Sequence, residues 1–168
     1  LYAVLCMQMG LYEKALELFD NVLTKVPQDP VTLTSKGHAL KTCGNTDEAI
    51  ASYRLATKSS SAYGEAWHSL ANLKTVKLDE NDVSKMLAQI NGDDLKFMDR
   101  VYINFSLGKA FEDAGDFDRA FSHYAAGNKA KKAQSRYVAE EMTDEFEQQK
   151  KLFSDKFIKS LNGCGHSA

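Results

Sequence analysis

Proline is scarce: the 168 residues hold two, Pro27 and Pro30. Little therefore interrupts a helix, and no alternating β-branched run offers a strand in its place. Cysteine is scarce too. Cys6, Cys43 and Cys164 are odd in number, widely spaced and without a C-x-x-C pair, so neither a disulfide framework nor a zinc site is implied. An excess of charge of either sign is missing. Lys and Arg total 21 against 23 Asp and Glu, a formal net charge of −2, whereas a nucleic-acid binder usually carries a clear basic surplus. No apolar run approaches the roughly 20 residues of a membrane span, and no signal peptide is visible. Partners are therefore expected to be neither nucleic acid nor membrane. The chain opens at Leu1 already inside a helical pattern, so a preceding segment and any targeting signal are expected to be missing. What is plentiful is Ala, Leu, Lys and Glu, the makings of an all-α chain. Free thiols suit a reducing cytoplasm.

The stretch Gly108 to Tyr124, GKAFEDAGDFDRAFSHY, organises the rest. It holds a Gly between two apolar helical turns, a break at Gly115-Asp116, then Ala120 and Tyr124. That order spells a helix, a tight turn and a second helix packed back on the first. Gly37, Gly44, Ala49 and Tyr53 repeat the spacings, and Gly10, Ala15 and Phe19 repeat the second half. Gly10 to Gly44, Ala15 to Ala49 and Phe19 to Tyr53 are each 34 residues apart. A period of 34 with small residues where helices cross resembles the tetratricopeptide repeat (TPR). The expected fold is an all-α, TPR-type superhelix of helical hairpins closed by C-terminal capping helices.

Taken in order, residues 1–10 read as the end of a first helix closed by Gly10. A second helix runs to about Lys25 and buries Ala15, Leu16, Phe19, Val22 and Leu23. Asp29-Pro30 opens the next, a capping residue followed by Pro at the first helical position. Helices over 30–43 and 46–58 make the second hairpin, with Ser59-Ser60-Ser61 as a loop. Trp67, Leu70 and Ala71 open a third repeat that then departs. Lys77 to Asp82 is polar, Val83, Met86, Leu87 and Ile90 form a short amphipathic helix, and Asn91 to Asp94 turn. Gly37 to Gly108 is 71 residues, two periods plus three, so the array continues across an irregular third unit. The fourth repeat runs from about Lys96 to Ala133. After Ser135 the period is lost, and helices from about Val138 and after Ser154 are expected. The organisation is thus an array of about 3.5 repeats over 1–134, capping helices over 135–161, and a linker over 162–168 leading to a further, missing domain.

Three longer runs carry a more particular resemblance. They are Glu65 to Lys74, EAWHSLANLK; Asp99-Arg100-Val101 leading into Phe105-x-Leu107-Gly108-Lys109-Ala110; and Glu112 to Phe121, EDAGDFDRAF. With Tyr124-Ala-Ala-Gly127-Asn128 and the segment Phe153 to Phe157, the region 62–161 resembles the bacterial TPR-containing sulfotransferases. The resemblance implies that these repeats recognise a substrate or partner. It further implies a catalytic domain in cis that binds 3′-phosphoadenosine 5′-phosphosulfate. A helix N-terminus after a Gly-rich loop is what grips such phosphates, and no strand-like run precedes Gly163-Cys164-Gly165. No catalytic residue of that family has a counterpart here, so no enzyme activity is expected of this chain itself.

Other chemistry is thinly signalled. His38 and His68 stand near-equivalently on first helices; a metal pair has no third ligand at matching spacing, and a groove-lining polar role fits better. His123 is expected on the outer face of a second helix, and Cys164-Gly165-His166 is too short for a metal site. Cys6 and Cys43 are expected as half-buried thiols near first-helix ends. Asp116 and Asp118 read as helix-start carboxylates rather than catalytic ones. Lys129, Lys131, Lys132 and Arg136 read as a solvated face, with a docking edge for the missing catalytic domain or for an acidic partner as the alternative.

The role that emerges is protein or peptide recognition in the concave groove of the array. Side chains of the first helices are expected to line it: Thr34, His38 and Lys41 from the second repeat, His68, Asn72 and Thr75 from the third. Asn72 can donate to and accept from a peptide backbone at once. A stand-alone scaffold with no associated enzyme is the alternative, and a purely structural array the third reading.

Overall fold

Hairpins recur with one turn chemistry. In this computed structural model, which describes residues 1–92, 94–134, 138–161 and 163, α1 (Tyr2–Gln8) turns into α2 (Tyr12–Lys25), and α3 (Pro30–Thr42) into α4 (Thr46–Ser59). A third such turn joins α7 (Phe97–Asp113) to α8 (Phe117–Gln134). Each closes on a left-handed glycine, Gly10, Gly44 or Gly115, at φ of 77°, 85° and 78°. In each, the residue after the glycine donates to a carbonyl five back: Leu11 to Cys6, Asn45 to Leu40, Asp116 to Phe111, at 2.8 to 2.9 Å. This double closure satisfies the last carbonyls of the first helix and aims the chain backwards.

The crossings are set by missing side chains. A Cβ on Gly37 would lie 2.4 Å from the Tyr53 ring, and one on Gly108 would lie 2.6 Å from that of Tyr124. Both glycines precede their tyrosine by 16 residues, so equivalent aromatic rings lie on equivalent gaps in two hairpins. Ala15, Ala49 and Ala120, all buried, let the second helices approach as closely. Leu40, Tyr53, Trp67, Leu70, Met86, Ile103, Leu107 and Phe111 form the main core, shared by α3 to α8. A smaller core of Cys6, Ala15, Phe19 and Ala39 joins the first hairpin to α3.

The third unit is the exception. α5 (Gly64–Ala71) has eight residues against the 13 of α3, and α6 (Glu80–Ile90) packs on α7. α5 stops at Ala71 with Asn72 as its C-cap, and Lys74 takes a left-handed φ of 61° that a side chain resists. Met86, fully buried, drives α6 into the main core. Two arginines fasten its ends. Arg54 on α4 reaches Asp82 at 2.5 Å, while Asp82 and Asp79 complete a capping box. At the other end Arg100 donates to the carbonyls of Ile90 and Gly92 at 2.8 and 3.0 Å. A guanidinium there meets both the unpaired carbonyls and the negative end of the helix dipole.

Other expectations meet the structure with mixed fortune. Asp29 caps α3 as anticipated, accepting from Thr32 N at 2.8 Å. Asp116 accepts from Arg119 N at 3.1 Å at the start of α8, and Asp118 lies in its first turn. Neither described cysteine is half-buried: Cys6 is fully buried, and Cys43 is exposed because it closes α3 at a solvent-facing turn. Lys129, Lys131 and Lys132 are exposed. Ser135, Arg136, Cys164, His166 and all of the 162–168 linker except Gly163 lie outside the described residues.

The chain divides into two compact units, Leu1–Ala133 and Gln134–Ala168. The second holds α9 (Ala139–Leu152) and α10 (Asp155–Ser160), the latter capped by Ser154, and none of its described residues is buried. Among the described residues there is no strand, and no helix is long and apolar enough to cross a membrane.

Candidate functional site

A strip of polar and aromatic side chains crosses α3, α5 and α7. It begins at His38, whose Nδ1 lies 2.9 Å from the Tyr53 hydroxyl and whose Nε2 lies 3.4 Å from Glu65 Oε1. If the Tyr53 O–H donates to Nδ1, Nε2 carries the hydrogen on the side that faces Glu65. The other oxygen of Glu65 accepts from the Tyr63 hydroxyl at 2.6 Å. One relay thus fixes the spacing of α3, α4 and α5. Burial pushes the Tyr53 hydroxyl up to about 12, with the Glu65 charge adding to it. The His38 contact holds the Glu65 carboxyl below its usual range, against a burial effect of opposite sign.

One turn along α5, the His68 ring lies 4.9 Å from Tyr102 and 6.3 Å edge-on from Phe105, both on α7. Asn72 Nδ2 sits 3.1 Å from His68 Nδ1. Burial lowers the pKa of His68, partly offset by Glu65. Phe105 continues the row towards Tyr124, with ring centres 6.4 Å apart. Lys109 follows one turn later, paired with Asp113.

Of the six residues expected to line a groove, four are exposed or half-exposed on, or at the end of, a first helix: His38 and Lys41 on α3, His68 on α5, and Asn72 at its C-cap. Two do not fit. Thr34 is 1% exposed, on the flank of α3 that also buries Leu33 and Gly37, and its Oγ1 has no partner among the described residues. Thr75 is not on a first helix at all, because α5 stops at Ala71 and leaves it in the following loop. His123 is not on an outer face either. It is half-buried between α7 and α8, stacked on Phe111 at 5.4 Å and bonded to Asn104 at 3.0 Å.

A sequence model described as Tetratricopeptide repeat matches residues 32–63. Those residues are a tetratricopeptide repeat. They span nearly all of α3 and the whole of α4, the hairpin in which Gly37 lies under Tyr53. The described fold is all-α and of TPR type. No curated protein matches the chain.

Glu65, Tyr102 and Phe105 join the strip without having been expected to line a groove. Phe105 and Tyr102 stand 37 residues after His68 and Glu65, the 34-residue period plus the three-residue surplus already visible between Gly37 and Gly108. Carrying that surplus into the first helices would have found them.

Proposed function

We propose that this chain is a protein- or peptide-binding module whose partner lies along the first-helix strip, in the groove of the repeat array. The observation that carries the reading is the continuity of His38, Glu65, His68, Tyr102 and Phe105 across three successive first helices. Stacking hairpins with a small rotation per unit makes an extended surface suited to an extended segment. Rings held at half exposure offer contact area with little rotamer entropy left to lose, and Asn72 offers a donor and an acceptor to a peptide backbone. His38, Lys41, His68 and Asn72 are the residues assigned to this site. Free thiols at Cys6 and Cys43 suit a reducing compartment such as the cytoplasm.

Panning a displayed library of decapeptides against the full chain tests the reading. Enriched peptides should lose affinity when Asn72→Ala and Phe105→Ala are introduced, by about 1–3 kcal/mol for each contact buried in the complex. Peptides that bind both variants as they bind the parent would remove the strip from the site.

The finer reading makes the chain the recognition part of a 3′-phosphoadenosine 5′-phosphosulfate-dependent sulfotransferase whose catalytic domain follows in cis. Its support is the sequence resemblance of residues 62–161. The described residues do not themselves fit that cofactor: they include no strand, and Gly10, Gly44 and Gly115 close helices. A coding sequence with no strand, Gly/Ser/Thr loop and helix within a few dozen codons after Ala168 would leave the stand-alone adaptor.

A further inference from the structure

Glu65 is tied down but not used up. One oxygen accepts from the Tyr63 hydroxyl and the other lies 3.4 Å from His38 Nε2, while a carboxylate offers about four acceptor positions. Its side chain remains 41% exposed. The Tyr63 hydroxyl and the neighbouring His38 ring fix where the charge sits, so a partner need not immobilise it on arrival. Beside it lie ring faces rather than cations: His68 one turn along the same helix, with Tyr102 and Phe105 beyond.

We propose that Glu65 is the specificity-determining residue of the strip and receives a lysine or arginine side chain of the bound segment, whose alkyl stem lies on His68 and Tyr102. The proposal rests on the peptide-binding reading above. A cation gains from a carboxylate and from the face of an aromatic ring together, and this is the pairing the strip presents. An acidic side chain placed there would meet Glu65 directly and be repelled. Lys41 and Lys109 do not compete for the position. Lys109 is paired with Asp113, and Lys41 lies one turn beyond His38, which stands between it and Glu65 in the α3 register.

The probe is the most enriched decapeptide from panning, synthesised in three forms with its basic residue kept, replaced by norleucine, or replaced by glutamate. Fluorescence anisotropy against the full chain should show the norleucine form weakened about tenfold and the glutamate form more so. Glu65→Gln should remove the difference between the basic and norleucine forms, with helicity by circular dichroism matching the parent. Should that variant misfold, the three peptides on the unaltered protein still decide the matter. Raising salt should weaken only the basic form. Peptides that bind the strip, by the Phe105→Ala criterion, yet carry no Lys or Arg or tolerate its loss would overturn this proposal and leave the binding reading standing. No strip-dependent peptide at all would overturn both.

Discussion

Replacing Gly37 with alanine should destabilise the protein, although the same change in an exposed helix would stabilise it. Gly in a helix interior costs about 0.5–1 kcal/mol relative to Ala, so propensity alone favours the substitution. Against this, the new methyl would sit 2.4 Å from Tyr53 Cε1 and 2.7 Å from Cδ1. The ring has nowhere to go: Tyr53 is fully buried and its hydroxyl is held by His38. Overpacking of this kind costs about 1–3 kcal/mol, so the balance is a net loss of about 1–2 kcal/mol, or a few degrees in Tm for a chain of this size. Urea unfolding followed at 222 nm measures it. Tyr53→Leu removes the obstructing ring, and in that background Gly37→Ala should become neutral or favourable, a coupling of at least about 1 kcal/mol. Gly37→Ala raising the urea midpoint in the parent would refute the close approach and, with it, the equivalence of the two hairpins.

Further outcomes follow from the third unit and from the histidines. Asp82→Ala removes a cap and leaves Arg54 without its acceptor; it should cost about 2 kcal/mol and speed hydrogen exchange in residues 80–90 before the other helices. Lys74→Gly relieves a left-handed residue and should stabilise by up to about 1 kcal/mol in the same urea assay. The pH dependence has a definite sign. His68 and His123 have folded pKa values below the ordinary 6.5, chiefly because burial disfavours the charged ring. The unfolded chain therefore binds more protons as pH falls through 6.5, and stability is lost from there down to the folded pKa values. The urea midpoint should be lower at pH 5.5 than at pH 7.5, and His68→Gln with His123→Gln should flatten the difference.

The regular hairpins were legible because their cause is local. A glycine four residues beyond the last buried contact and an Asp-Pro start each act within about one turn of chain, a 34-residue echo of small residues marks where they recur, and the helix bounds follow them closely. In the third unit the short helix through Val83, Met86, Leu87 and Ile90 was legible and forms α6, but the early stop of α5 and what fastens α6 were not, for the opposite reason. Nothing near Lys74 announces a left-handed residue, and what holds α6 comes from elsewhere, Arg54 being 28 residues from Asp82. Two candidate residues failed on the same ground. Thr34 lies on a flank that tertiary packing closes, and Thr75 would line the strip only if α5 ran as long as α3. His123 was misplaced because its acceptor, Asn104, and its stacking partner, Phe111, both lie on the preceding helix.

First helices presenting one shared binding face are what everything else rests on. Amide chemical-shift perturbation on titrating a panned peptide into the labelled chain tests that face directly. The account predicts shifts concentrated on α3, α5 and α7, around His38, Glu65, His68, Asn72 and Phe105. Shifts confined to α2, α4 and α8 would contradict it.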